Sequence, residues 1–157
     1  MKMSLRRVSN SITGLVVIGL VSIINNASAD ALEGTAKEAK AMLEHAVVAL
    51  KANEMAALEA FTAGTFGFKD RDLYVFCSGP DGNMTAHGAN SALVGKHFCG
   101  FVDKAGKPFG NTMCSTANSN YKVVEYMWPR PGESTPSRKA SYFVKVAGQV
   151  CGVGFYK

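Results

Sequence analysis

The sequence predicts an α+β domain: a long N-terminal helix packed on a five-stranded antiparallel sheet. Three observations carry this. From Ala31 to Phe61 there is no proline, and Ala, Glu, Lys, Met and Leu dominate with a helical apolar period. After Asp72 the period becomes that of extended chain, in short segments separated by turn residues. Helical and extended segments do not alternate, so nothing suggests a parallel sheet. At 157 residues the chain holds one ordinary domain, with no internal repeat and no linker.

The N-terminal residues read as an export signal. Lys2, Arg6 and Arg7 precede the apolar run from Ile12 to Ile24, and Ala27-Ser28-Ala29 then offers small residues for cleavage after Ala29. The run is about 13 residues, short of the roughly 20 that span a bilayer, so a retained anchor is the weaker alternative. From Asp30 onward 14 Lys and Arg face 12 Asp and Glu, a net charge of +2. Without a basic run in this part, the sequence supports no nucleic-acid partner. The expected location is periplasmic or secreted. In an oxidising compartment the even set Cys77, Cys99, Cys114 and Cys151 should form disulfides, with three pairings open. Neither CxxC nor CxxCH occurs, and no cofactor is expected.

Ala39, Met42, Leu43, Ala46, Val47 and Leu50 recur at spacings of three and four, which puts them on one core-facing stripe. Glu44 and His45 lie on the same helix and read as its solvated or partner-facing surface. Asn53 before Glu54 marks a break and a new N-cap, followed by a short second helix to about Thr62. Thr62 to Lys69 is a loop. Leu73-Tyr74-Val75-Phe76-Cys77 is a strand, Ser78 to Asn83 is turn chemistry, and Met84 to His87 is the returning strand. Gly88 to Tyr121 is a glycine-rich excursion with one short helix near Ser91 to Val94. Lys122 to Trp128 and Arg138 to Val146 alternate as strands around the turn Pro129 to Pro136, and Ala147-Gly148-Gln149 leads into the last strand, Val150 to Tyr156.

In this order, Asp72 to Phe76, Asp81-Gly82, Ala86-His87, Val94-Gly95-Lys96, Asp103 to Phe109, Val124 to Pro129, Lys139 to Tyr142 and Gly152 to Tyr156 resemble a single Cache domain. The type is the extracytoplasmic sensor of bacterial chemoreceptors and histidine kinases. Residues 30–157 would form the domain and residues 1–29 the signal peptide. The resemblance implies a PAS-like sheet with the long helix on one face and a small-molecule pocket on the other, typically for small carboxylates. It also makes the first and last strands antiparallel neighbours, which pairs Cys77 with Cys151 and leaves Cys99 with Cys114. Two features depart from the pattern: the chain ends directly after its last strand, and it carries extra cysteines. The first suggests a free-standing binding domain.

A carboxylate pocket needs a fixed cation or several donors within apolar walls. The resemblance places Lys139 at the family's pocket-lining lysine, a surface or strand-end role being the alternative. His87 falls where the family has a histidine, able to donate to a carboxylate or titrate near neutrality. Tyr126 and Trp128 share a strand face and would wall the pocket or simply pack the core. Phe76 shares a face with Tyr74, again as wall or core. Tyr142 joins the set only if a bulge intervenes, because it lies three residues from Lys139 and an unbroken strand sends the two to opposite faces.

The function these readings support is a binding module that presents a small organic acid to a membrane receptor or kinase, with a homodimer through the long helix as a further partner. The alternatives are an interaction module whose pocket is filled by its own side chains and a small hydrolytic enzyme. The enzyme would have to rest on His87, Lys139 and Asp81, which include no activated nucleophile. Asp81, Asn83 and Thr85 open like a calcium loop, but Ala86 stands where glycine is required and Ala92 where the last acidic ligand belongs.

Overall fold

The computed structural model describes residues 33–157. The export signal, its cleavage after Ala29 and the first residues of the expected helical run lie outside the described residues. Helix α1 covers Ala36–Ala52 and buries Ala39, Met42, Leu43, Ala46 and Leu50. Thr35 and Glu38 close its first turn as a reciprocal capping box. Asn53 ends α1 and caps α2 (Glu54–Ala63), its side chain accepting the Ala56 N–H at 3.2 Å.

The sheet has six antiparallel strands: β1 (Lys69–Asp70), β2 (Leu73–Ser78), β3 (Met84–His87), β4 (Lys122–Pro129), β5 (Pro136–Val146) and β6 (Gln149–Tyr156). The order is β1-β2-β6-β5-β4, with β3 also on β2. β1 pairs with Leu73 and Tyr74, and β3 with Phe76, Cys77 and Ser78. β1 is the strand beyond the expected five, since a two-residue element inside an expected loop leaves no period to read. The expected five otherwise stand, although β5 starts at Pro136. Ala147 (φ 49°) and Gly148 (φ 78°) turn β5 into β6 with two left-handed residues, the backbone that matches the twist of a hairpin.

β2 and β6 are the first of the main strands and the last, and they run side by side with Cys77 opposite Cys151. The two are joined by a disulfide, as are Cys99 and Cys114. Strand parity divides the interior in two. Leu73, Val75, Cys77, Val144, Cys151 and Val153 face the helices and pack with Leu43 and Phe61. Tyr74, Phe76, Val124, Tyr126 and Phe143 face the excursion and pack with Phe98, Phe109 and Met113.

The excursion is more ordered than its composition suggests. It holds 3₁₀ turns at Ser91–Leu93 and Phe98–Gly100 and a third helix, α3 (Phe109–Thr116). Asp103 fastens it to the sheet, accepting the N–H groups of Ala105 and Lys107 and, on edge strand β4, of Met127, each at 2.9 Å. These donors, the Met127 amide first, hold the Asp103 carboxyl below its ordinary pKa.

Candidate functional site

On the excursion side of the sheet, Lys139 of β5 lies directly between Tyr126 of β4 and Tyr156 of β6. Its side chain crosses β6 over Gly154, where a Cβ would collide with Lys139 Cε and Ser141 Oγ. This gap lets Lys139 Nζ reach Tyr74 Oη on β2 at 2.8 Å, with Tyr156 Oη at 3.4 Å. Nζ also stands 4.0 Å and 4.7 Å from the centroids of those two rings. Lys139 is 1% exposed, and no described carboxylate hydrogen-bonds to it. Burial pulls its pKa down to about 7, against an opposing contribution from Asp72. Because Gly154 makes room for the lysine, Gly154→Ala is expected to destabilise the domain by about 1–3 kcal/mol in urea unfolding. An unchanged midpoint would show that the lysine can be rerouted at no cost.

Above this layer is a cavity of about 200 Å³, lined by Tyr74, His87, Leu93, Trp128, Arg130 and Glu133 among others. His87 is buried, its ring 4.8 Å from that of Tyr74. The backbone N–H groups of Ala89 and Asn90 donate to its Nδ1 at 3.3 and 2.9 Å, which leaves Nε2 as the donor. Burial, reinforced by the charge of Lys139, pushes the His87 pKa down to about 4 and keeps the ring neutral at physiological pH.

Arg130, in the β4–β5 turn, stacks 4.5 Å from the Tyr156 ring. Its guanidinium pairs with Asp72 at 2.9 Å and Glu33 at 3.0 Å. Asp72 in turn accepts the Gly34 N–H at 2.6 Å, just before α1. Tyr156 Oη donates to the Pro129 carbonyl at 2.6 Å. The turn beside the cavity, the lysine layer and the start of the long helix are thus in continuous contact.

His87 and Trp128 line the cavity, and Lys139 lies one layer beneath it under Tyr74. Tyr126 stacks on Phe109 at 4.1 Å and bonds Ser141 Oγ at 2.8 Å, forming a wall behind the lysine. Phe76 is 3% exposed and packs between His87 and Phe98. Tyr142 is a correction: the β4–β5 and β5–β6 registers run without a bulge from Lys139 to Tyr142, so Tyr142 faces the helices and packs on Phe155. Reading the sequence missed Tyr74, Tyr156, Arg130, Asp72 and Gly154.

A larger open groove of about 670 Å³ runs along α2 past Met55, Leu58 and Thr85, but it presents no cation. Among the described residues no cluster of three or more His, Cys, Asp or Glu is placed to hold a metal, and no helix is long and apolar enough to cross a membrane.

The family model described as single Cache domain 2 matches residues 4–156. No curated protein matches. A solved structure of a methyl-accepting chemotaxis protein from Vibrio parahaemolyticus RIMD 2210633 is 25% identical, with a TM-score of 0.63 over 76% of this chain and 86% of that one. A periplasmic sensor domain of a chemotaxis protein is 28% identical, with a TM-score of 0.59 over 76% and 88%. A Cache chemosensory domain, described for its carboxylic acid recognition, shares the fold at 23% identity and a TM-score of 0.57 over 76% and 86%.

Proposed function

We propose that this chain, which belongs to the single Cache domain 2 family, binds a small organic acid outside the cytoplasm and passes its occupancy to a membrane receptor or kinase. Residues 1–29 would direct export, with cleavage after Ala29, and residues 30–157 would form the binding domain. The observation that carries the reading is Lys139, a buried cation with no hydrogen-bonded counter-ion among the described residues. Burying an ammonium costs several kcal/mol, and a ligand carboxylate would supply the missing charge. His87 Nε2–H and the Tyr74 hydroxyl are the neighbouring donors, while Trp128, Tyr126 and Phe76 provide apolar walls. The carboxylic acid recognition of the third solved relative and the periplasmic setting of the second support the same reading. Nothing in this chemistry requires catalysis. Val48 stands exposed on α1, the helix through which a second copy would pair.

A thermal-shift screen of the purified protein against acetate, propionate, pyruvate and lactate, with amino acids and purines beside them, tests the proposal. A binding acid at a hundred times its dissociation constant should add about 2.7 kcal/mol of stability, as a saturable rise in melting temperature. A flat response from a well-folded protein would select the second reading, an interaction module whose pocket is closed by its own side chains. The seat of Lys139 beneath Tyr74 favours that alternative.

A further inference from the structure

We infer that the site takes up a proton together with the acid anion, so that it reports the pair rather than the anion alone. The inference rests on the acid-binding reading above and adds the charge state in which the site binds. Each element packed against Lys139 Nζ contributes to its setting. β2 brings Tyr74 and the turn before it Asp72, β3 brings His87, β4 and its following turn bring Tyr126 and Arg130, β5 itself brings Ser141, and β6 brings Tyr156.

Asp72 is the acid among them, and its two oxygens are engaged by the Gly34 N–H and by Arg130. What touches Nζ directly is a pair of tyrosine hydroxyls and the faces of their rings. A hydroxyl serves either charge state: it accepts from an ammonium and donates to a neutral amine across the same 2.8 Å. The free site therefore holds Lys139 without requiring its charge, whereas a bound carboxylate requires it.

The balance is simple. The anion and one solvent proton enter, the amine becomes an ammonium, and an ion pair forms with no bond broken elsewhere. Because burial already brings the lysine to about 7, the free protein carries progressively more amine as pH rises above neutrality.

Titration calorimetry with propionate and pyruvate, repeated in phosphate and in Tris buffers, counts the protons directly. Uptake should rise from near zero at about pH 6 towards one at about pH 8.5. The dissociation constant at about pH 8 should be about tenfold weaker than at about pH 6. Uptake originating at His87 would instead diminish as pH climbs, and that result overturns the inference. Binding without uptake at about pH 8 also overturns it while leaving the acid-binding reading intact. If neither acid binds at any pH, the acid-binding reading falls and the inference with it.

Lys139→Arg keeps its charge throughout and should bind without proton uptake. Should that variant not fold, His87→Gln retains the lysine. It should bind more weakly yet keep an uptake that rises with pH; losing that rise overturns the inference.

Discussion

Lys139→Met is expected to raise the stability of the free domain and weaken its acid binding at least roughly thirtyfold, two changes of opposite sign from one substitution. Methionine follows the same path over Gly154 and leaves no buried charge. Replacing a buried ion by an apolar side chain of similar shape is typically neutral or stabilising, here by about 1–3 kcal/mol. Removing one side of a buried charge pair with a ligand costs about 2–5 kcal/mol of binding, a loss of roughly thirtyfold to several thousandfold.

The stability gain should depend on pH, and its sign follows from proton linkage. Folded Lys139 titrates at about 7, below an unfolded lysine at about 10.4, so between these values the unfolded chain holds more protons. Wild-type stability therefore rises with pH across that window on account of this group. The advantage of Lys139→Met should be greatest below pH 7 and shrink as the wild-type lysine discharges. Urea unfolding at a series of pH values, paired with calorimetry on any acid that binds, tests both halves. A variant that is less stable yet binds normally would remove the lysine from the site.

Replacing Cys77 and Cys151 together by alanine should cost about 4 kcal/mol, and replacing Cys99 and Cys114 about 3 kcal/mol. The bridges span sequence separations of 74 and 15, and restriction of the unfolded chain grows slowly with the loop closed. The longer bridge also sits at 0% exposure in the core between helices and sheet, so its loss removes packing as well. The shorter one ties the Phe98–Gly100 turn to α3, whose Phe109 stacks on Tyr126; its loss should therefore also loosen the wall behind Lys139. Urea midpoints under non-reducing conditions rank the pairs. A greater loss from the shorter bridge would show that local wall packing outweighs chain restriction.

The helix stripe was legible because Met42, Leu43, Ala46 and Leu50 recur at one period along a run of strong helix formers. Asn53 was legible because a side-chain cap needs only local chemistry. Helix α3 was not: Phe-Gly-Asn-Thr-Met-Cys-Ser-Thr has weak intrinsic propensity, and the segment is fixed by burial of Phe109 and Met113 and by the Cys114 bridge. Strand parity separates Tyr142 from Lys139, and the unbroken register shows it applies.

Tyr74 is in step with Phe76, which was a signal for the missed tyrosine, but all six residues of β2 are buried and blur the alternation. Tyr156 required the β5–β6 register, which sets it opposite Lys139. Arg130 lies in a proline-flanked turn, where an arginine ordinarily reads as solvated. Gly154 looked like an unremarkable strand glycine, because the side chain crossing it comes from the neighbouring strand.

Asp103 has a consequence for coexistence at high concentration. β4 ends the sheet, and an open strand edge is a template on which another chain can extend it into an aggregate. The carboxylate occupies the Met127 N–H on that edge and keeps the excursion lying across it. Since the same N–H groups favour the ionised carboxylate, acidification must go further than for an ordinary aspartate before the cover is released. The β4 border therefore stays closed to other molecules under acid conditions that would already neutralise an ordinary aspartate.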